Sequence, residues 1–164
     1  MNDTGVSSEP SLSATSTGHW LLCRVGDRLL AVPLDCVIET MRPLPLRTFS
    51  GVPEFILGVS VIRGAVVPVV DVEGVLGKRA GRPRRLVTVT LDSRVVALAV
   101  DEVLGVRCLD EAALEDVPPL LGSLDQVALA AIGTLDSRLL LVLGDARLLS
   151  AEDWSRIDEA VISS

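Results

Sequence analysis

The sequence predicts a mainly β protein, built as two small packed barrels with short helical turns and a C-terminal helix. Three observations carry that reading. A tight turn, an apolar strand and a closing Asp recur four times along the chain. The apolar runs are short and dominated by Val and Leu, the composition of pleated, well-covered strands. The last segment changes from strand spacing to helical spacing.

The first unit pairs Trp20–Val25 with Leu29–Leu34 across Gly26-Asp27-Arg28, and closes at Asp35. The second pairs Phe55–Ile62 with Ala65–Val70 across Arg63-Gly64, and closes at Asp71. In the third, Leu86–Leu91 and Val95–Val100 flank Asp92-Ser93-Arg94, with Asp101 at the end. In the fourth, Val127–Leu135 and Leu139–Leu143 flank Asp136-Ser137-Arg138, and Asp145 follows Gly144. The last two units share Thr-Leu-Asp-Ser-Arg, at 90–94 and 134–138. Two-residue polar or glycine turns between strand-like runs read as β-hairpins. An Asp at a strand end can cap a helical turn by accepting its free N–H groups. Asp35 before Cys36-Val37-Ile38 and Asp145 before Ala146-Arg147-Leu148-Leu149 fit that role.

In Leu86-Val-Thr-Val-Thr-Leu91 the two Thr share one face, and Val87, Val89 and Leu91 the other, as in a half-buried strand. Val66–Val70 is apolar on both faces and must be covered twice. Four hairpins at irregular spacing predict two barrels of two hairpins each, not a solenoid. A subdomain boundary is expected near 78–85, a loop broken by Gly81 and Pro83. Ser150-Ala-Glu-Asp153 has the form of a capped helix start, and Trp154, Ile157 and Val161 follow at helical spacing. The expected organisation is a disordered tail over 1–18, a domain over 19–158 made of two intertwined barrel subdomains, and a helix and tail over 150–164.

Composition narrows the function. The 164 residues are 49% hydrophobic, enough for a packed core without disulfide or metal staples. No apolar run approaches the ~18 residues of a membrane-spanning helix, so no direct membrane insertion is expected. The first 18 residues lack a basic start and an apolar core, and do not read as a secretory signal. The expected compartment is the cytoplasm. A net charge of −7 and the lack of any Tyr count against nucleic-acid binding. Lys78, Arg79, Arg82, Arg84 and Arg85 form one basic cluster, either a solvated connection or a docking patch for an acidic partner. Cys23, Cys36 and Cys108 are isolated, and His19 is the only His, so no metal site and no cofactor are expected. No Ser-His-Asp or Cys-His system, phosphate loop or dinucleotide fingerprint occurs. The adjacent carboxylates Asp101 and Glu102, and the pair Asp71 and Glu73, fit turns better than acid–base work.

One residue breaks the pattern. Arg63 interrupts an apolar stretch, and a cation there requires a partner carboxylate or a functional surface. Glu39 likewise interrupts an apolar stretch.

These segments resemble the CheW family of chemotaxis coupling proteins, which extends to the regulatory domain at the C-terminal end of the CheA histidine kinase. The likeness rests on Val37-Ile-Glu-Thr40 and on Pro53-Glu-Phe-Ile-Leu-Gly-Val-Ser-Val-Ile-Arg-Gly-Ala-Val-Val-Pro-Val-Val-Asp-Val72. It continues in Ala97-Leu-Ala-Val-Asp-Glu-Val103 and Leu139–Leu143. The family's usual Asn is Val61 here, Thr40 stands for Ile, and Glu73 for Arg. The resemblance implies two packed five-stranded SH3-like barrels and no catalytic activity. It implies that one barrel pairs with the regulatory domain of a CheA-type histidine kinase. The groove between the barrels would receive the cytoplasmic tip of methyl-accepting receptors, recruiting the protein to membrane receptor arrays. Glu39 and Arg63 align with family positions of the same charge, and are expected to form an ion pair near the inter-barrel surface. Gly64 is assigned to the turn. Gly58 either admits a receptor helix or serves backbone geometry. Val37 and Val103 either line the receptor groove or belong to the core. Two rivals remain: a divergent CheW-like scaffold of another pathway, such as motility or development, and a small β-barrel enzyme.

Overall fold

The computed structural model describes residues 17–75, 82–91, 93–110, 114, 129–143 and 149–163. Among them the strands are β1 (Thr17–Val25), β2 (Arg28–Pro33), β3 (Val37–Met41), β4 (Ile56–Ile62) and β5 (Ala65–Asp71). They continue with β6 (Arg85–Leu91), β7 (Arg94–Val100), β8 (Glu102–Asp110), β9 (Leu129–Leu135) and β10 (Arg138–Leu143). Two helices, α1 (Val72–Val75) and α2 (Ala151–Ser163), and a 3-10 turn at Leu34–Cys36 complete the described elements. The chain thus adopts the expected mainly β, two-barrel SH3-like architecture with a C-terminal helix.

The hairpin turns follow from local chemistry. Arg63 and Gly64 have φ of 55° and 80°, and Asp136 and Ser137 have 52° and 64°. Two consecutive residues at positive φ match the twist of paired strands, and Gly, Asp and short polar residues tolerate that region.

Strand order is β8-β1-β2-β10-β9 in one sheet and β3-β6-β7-β5-β4 in the other. Each sheet joins two antiparallel hairpins through one parallel contact, β2 with β10 and β7 with β5, and adds a fifth strand at an edge. The first barrel takes the first and fourth hairpins, and the second barrel takes the second and third. Both barrels therefore use chain from before and after 78–85, and the expected boundary there is corrected. That connection joins two strands of one sheet, and the chain passes between barrels at Leu34–Cys36 and again around Asp101. Gly, Pro and Arg content marks a surface connection without specifying which sheets it joins. The tail expected over 1–18 lies outside the described residues except for Thr17 and Gly18, which begin β1. Lys78, Arg79 and Asp145 also lie outside them.

Strand alternation divides the apolar side chains among three clusters. The central cluster takes one face of each sheet: Cys23, Leu30 and Leu141 from the first, Val87, Leu98 and Val70 from the second. Helix α2 adds Ile157, with Trp154 and Val161 packed against it. The opposite faces form flanking clusters, with Leu22, Leu29 and Leu140 in the first barrel and Val69, Leu86 and Ala97 in the second. Thr88 departs from its expected solvent face. It is buried, and its hydroxyl donates to the Glu39 carbonyl at 3.2 Å.

Of the strand-end Asp residues, Asp35 does not cap as expected, and Asp101 holds a turn of the other barrel. Asp35 lies inside the 3-10 turn, whose N-cap residue is Pro33, with no side-chain cap bond. Asp101 accepts the Gly26 N–H at 2.6 Å and lies 3.5 Å from Arg24. Its own N–H donates to the Arg24 carbonyl at 2.9 Å. It therefore secures the first hairpin turn of one barrel at the point where the chain leaves the other. At α2, Ser150 Oγ accepts the Asp153 N–H at 3.0 Å, and Asp153 accepts the Ser150 N–H at 3.1 Å, a reciprocal capping box.

Candidate functional site

Strand β3 is one edge of the second sheet and β4 the other. A register shift between Val37 and Glu39 leaves Ile38 as the extra residue of a bulge. The bulge turns Ile38 outward, 51% exposed, and places Glu39 opposite Thr88. Arg63 occupies the first position of the β4–β5 turn. Its Nε and Nη2 donate to the two Glu39 carboxylate oxygens, each at 2.8 Å. The expected pair forms, and it spans the seam between two edge strands that share no ladder.

Its environment differs from the expectation. The Arg63 side chain is 78% exposed and that of Glu39 25%. The turn lifts the guanidinium out of the apolar run, so little burial penalty has to be offset at Arg63. The Arg63 hydrogen bonds hold the Glu39 carboxyl below its ordinary range. An exposed pair of this kind adds little to stability. It does fix the orientation of a planar, multi-donor cation at the surface.

The other anticipated residues separate in the structure. Gly64, at φ 80°, has open space for 4 Å around the position a Cβ would take, and serves the turn. At Gly58, where φ is 147°, a Cβ would collide with the Arg47 carbonyl oxygen. The space beside Gly58 is filled by the chain itself. Arg47 and Val59 exchange backbone hydrogen bonds at 2.8 and 2.9 Å, and Ser60 Oγ donates to the Pro45 carbonyl at 2.9 Å. Val37 and Val103 are half-buried and pack against the central cluster.

Sequence alone does not mark the apolar surface beside these positions. Leu104 follows Val103 as the extra residue of the β8 bulge and is 43% exposed, matching Ile38 after Val37. Val61 is 66% exposed directly across from Val66 at 42%. Both border a groove of about 560 Å³ formed with Leu46, Phe49 and, from α2, Val161. Strand alternation alone places Val61 on an outward face, but a bulge shifts that alternation and leaves no mark in composition. Among the described residues no group of three or more His, Cys, Asp or Glu side chains is placed to hold a metal ion. No described helix is long and apolar enough to cross a membrane. The arrangement offers a fixed charge pair and exposed apolar strands, the components of a protein-docking surface.

Residues 19–153 match the family described as CheW-like domain. The chain belongs to that family. It is 29% identical over 133 residues to Chemotaxis protein CheW of Rhizobium meliloti, covering 79% of this chain and 86% of the relative. It is 39% identical over 102 residues to Protein FrzA of Myxococcus xanthus, covering 60% and 62%. The crystal structure of scaffolding protein TtCheW from Thermoanaerobacter tengcongensis has the same fold, with a TM-score of 0.71 at 21% identity, covering 84% of this chain and 90% of that one. With this membership the chain takes its place among CheW-like signalling adaptors, the class its strand motifs anticipate.

Proposed function

We propose that this CheW-like adaptor is non-catalytic and couples methyl-accepting receptors to a CheA-type histidine kinase. The observation that carries the reading is the exposed two-bond Glu39–Arg63 pair, set among exposed apolar strand residues in a chain of this family. Glu39 orients Arg63 from one side, and the guanidinium keeps its outer face available to a partner carboxylate or carbonyl. On this reading one barrel pairs with the kinase regulatory domain. A receptor tip lays an apolar helix face between the barrels, near Val37 and Val103, with Ile38 and Leu104 adding exposed side chains. Gly58 and Gly64 shape the hairpin that carries Arg63. The protein works in the cytoplasm and reaches receptor arrays through its partners, without cofactor or metal.

The test is reconstitution of the full chain with a CheA-type kinase and receptor-bearing membranes. Binding to the kinase regulatory domain and receptor-controlled phosphorylation are expected. Arg63→Ala, folded by circular dichroism, is expected to weaken kinase binding about tenfold, the loss typical of an interface anchor. Failure of the wild-type chain to bind any such kinase overturns the coupling role. Undiminished binding by Arg63→Ala removes the pair from it.

A second reading is a CheW-like scaffold serving another pathway, such as motility or development. It is favoured by the higher identity to Protein FrzA, whose name does not place it in chemotaxis, and by the apolar Val61 at the family's Asn position. Co-purification with a kinase that takes no methyl-accepting chemoreceptor input selects it.

A further inference from the structure

Charge is distributed very unevenly along this chain. Residues 78–85 carry five cations and no acid, so a net charge of −7 leaves −12 for the rest. Within the described residues, Arg82 and Arg84 are exposed and form no ion pair. Together with Arg24 from β1 of the other barrel and Asp101, they line a concave site of about 320 Å³. Arg24 is fixed there. Its Nε donates to Glu102 at 3.3 Å and its Nη1 to the Gly26 carbonyl at 3.2 Å.

We propose that this site docks an acidic, carboxylate-bearing segment of a protein partner, a contact separate from the Glu39–Arg63 surface and independent of the adaptor reading. Guanidinium groups match carboxylates with paired donors, and two of the three here have no carboxylate partner within the described chain. Asp101 sits in the site and accepts the Gly26 N–H, and Glu102 is engaged by Arg24. Asp71 and Glu73 border the adjoining cleft with Arg82. These carboxylates keep the site from acting as a deep anion trap and set a weak, salt-sensitive contact.

Charge also selects the class of partner. A planar anionic bilayer extends past the site and also meets the carboxylates around it, Glu102 and Glu73 among them, which repel it. A short acidic peptide meets only the basic site, because charges more than about 8 Å away are screened at physiological salt. The concave shape, formed by both barrels, likewise suits a segment rather than a plane.

The experiment titrates the full chain into dye-labelled hexaglutamate and follows fluorescence anisotropy. Glutamine-for-glutamate peptide and phosphatidylglycerol vesicles are the alternative probes. Hexaglutamate is expected to bind, to weaken at least about threefold between about 50 and 300 mM salt, and to lose about fivefold or more in Arg82→Glu/Arg84→Glu. Arg138→Glu, an exposed charge change on β10, is expected to bind as wild type. Equal loss in Arg138→Glu, full binding by the double variant, or binding to the vesicles but not the peptide overturns the proposal. If the double variant does not fold, amide NMR of the wild-type chain decides. Hexaglutamate must shift Arg24, Arg82 and Arg84, and shifts confined to other residues overturn the proposal.

Discussion

The two barrels are built on one plan and finished differently. Aligning their strand orders sets β8 against β3, β1 against β6, β2 against β7, β10 against β5 and β9 against β4. Even the irregularities coincide. The β8 bulge sets Leu104 where β3 has Ile38, and the β9 register shift falls where β4 has its own. Val37 and Val103 are therefore counterparts, each packed against the central cluster just before an exposed bulge residue. At the seam the correspondence ends. Glu39 matches Gly105 and Arg63 matches Asp136, so the first barrel has no equivalent ion pair. Val61 and Val66 match Thr134 and Leu139, and Gly58 matches Ala131. Identical topology thus leaves surface chemistry free to diverge, because register constrains the inward face far more than the outward one. The charge pair and the exposed Val61–Val66 cross-strand pair belong to the second barrel alone.

The strongest test of the shared plan is the central cluster, which belongs to both barrels. Leu98→Ala is expected to destabilise the chain by about 2–5 kcal/mol, because Leu98 is fully buried there. Trp20 in the first barrel and Trp154 on α2 should report one common transition in denaturant, each measured in a single-Trp variant. Two separated transitions would mean that the barrels are thermodynamically independent.

Next in size is Gly58→Ala, expected to lose about 2–3 kcal/mol through left-handed backbone strain and collision with the Arg47 carbonyl. Ala131 occupies the matching register position in the first barrel, so the requirement belongs to the second barrel's seam. A neutral Gly58→Ala in urea denaturation would show that the 45–48 segment moves aside readily.

Cys23 probes the first barrel's side of the cluster. Burial pushes its thiol up to about 12. The protonated thiol is favoured by folding, so this contribution is complete below the ordinary thiol range and is lost as pH rises toward about 12. A thiol reagent should label exposed Cys108 rapidly and Cys23 only on unfolding. Equal labelling rates would contradict the packed cluster.

The smallest effect concerns the pair itself. Arg63 lowers the Glu39 carboxyl, so the pair's contribution is present above the ordinary carboxylate range and lost as pH falls through the lowered value. Wild type should slightly exceed Glu39→Gln in stability near neutrality, and the two should converge in acid. A constant difference between them down to about pH 2 would mean that charge at Glu39 is not the source.

Hairpin existence was legible because two-residue turns and Val-rich runs act locally. Each of the eight hairpin strands falls close to its expected place, and the Ser150–Asp153 capping box forms as the sequence signals. The fifth strand of each barrel was not legible. β3 is short and follows a turn, and β8 is an edge strand with only one residue buried among its nine. The Glu39–Arg63 pair was legible from two charges in apolar surroundings, but its exposure was not, since Arg63 leaves the strand at a turn. Asp35 read as a helix cap because an Asp looks the same before any free N–H.

Local sequence is sufficient for the four hairpins, the helix start and the charges at Glu39 and Arg63. These depend on neighbours a few residues apart. Long-range packing sets which hairpins share a barrel, which strands stand at the edges, and which apolar residues face out beside the charge pair. Those outcomes depend on contacts distant in sequence and on single-residue bulges, where a shift of one position exchanges core and surface.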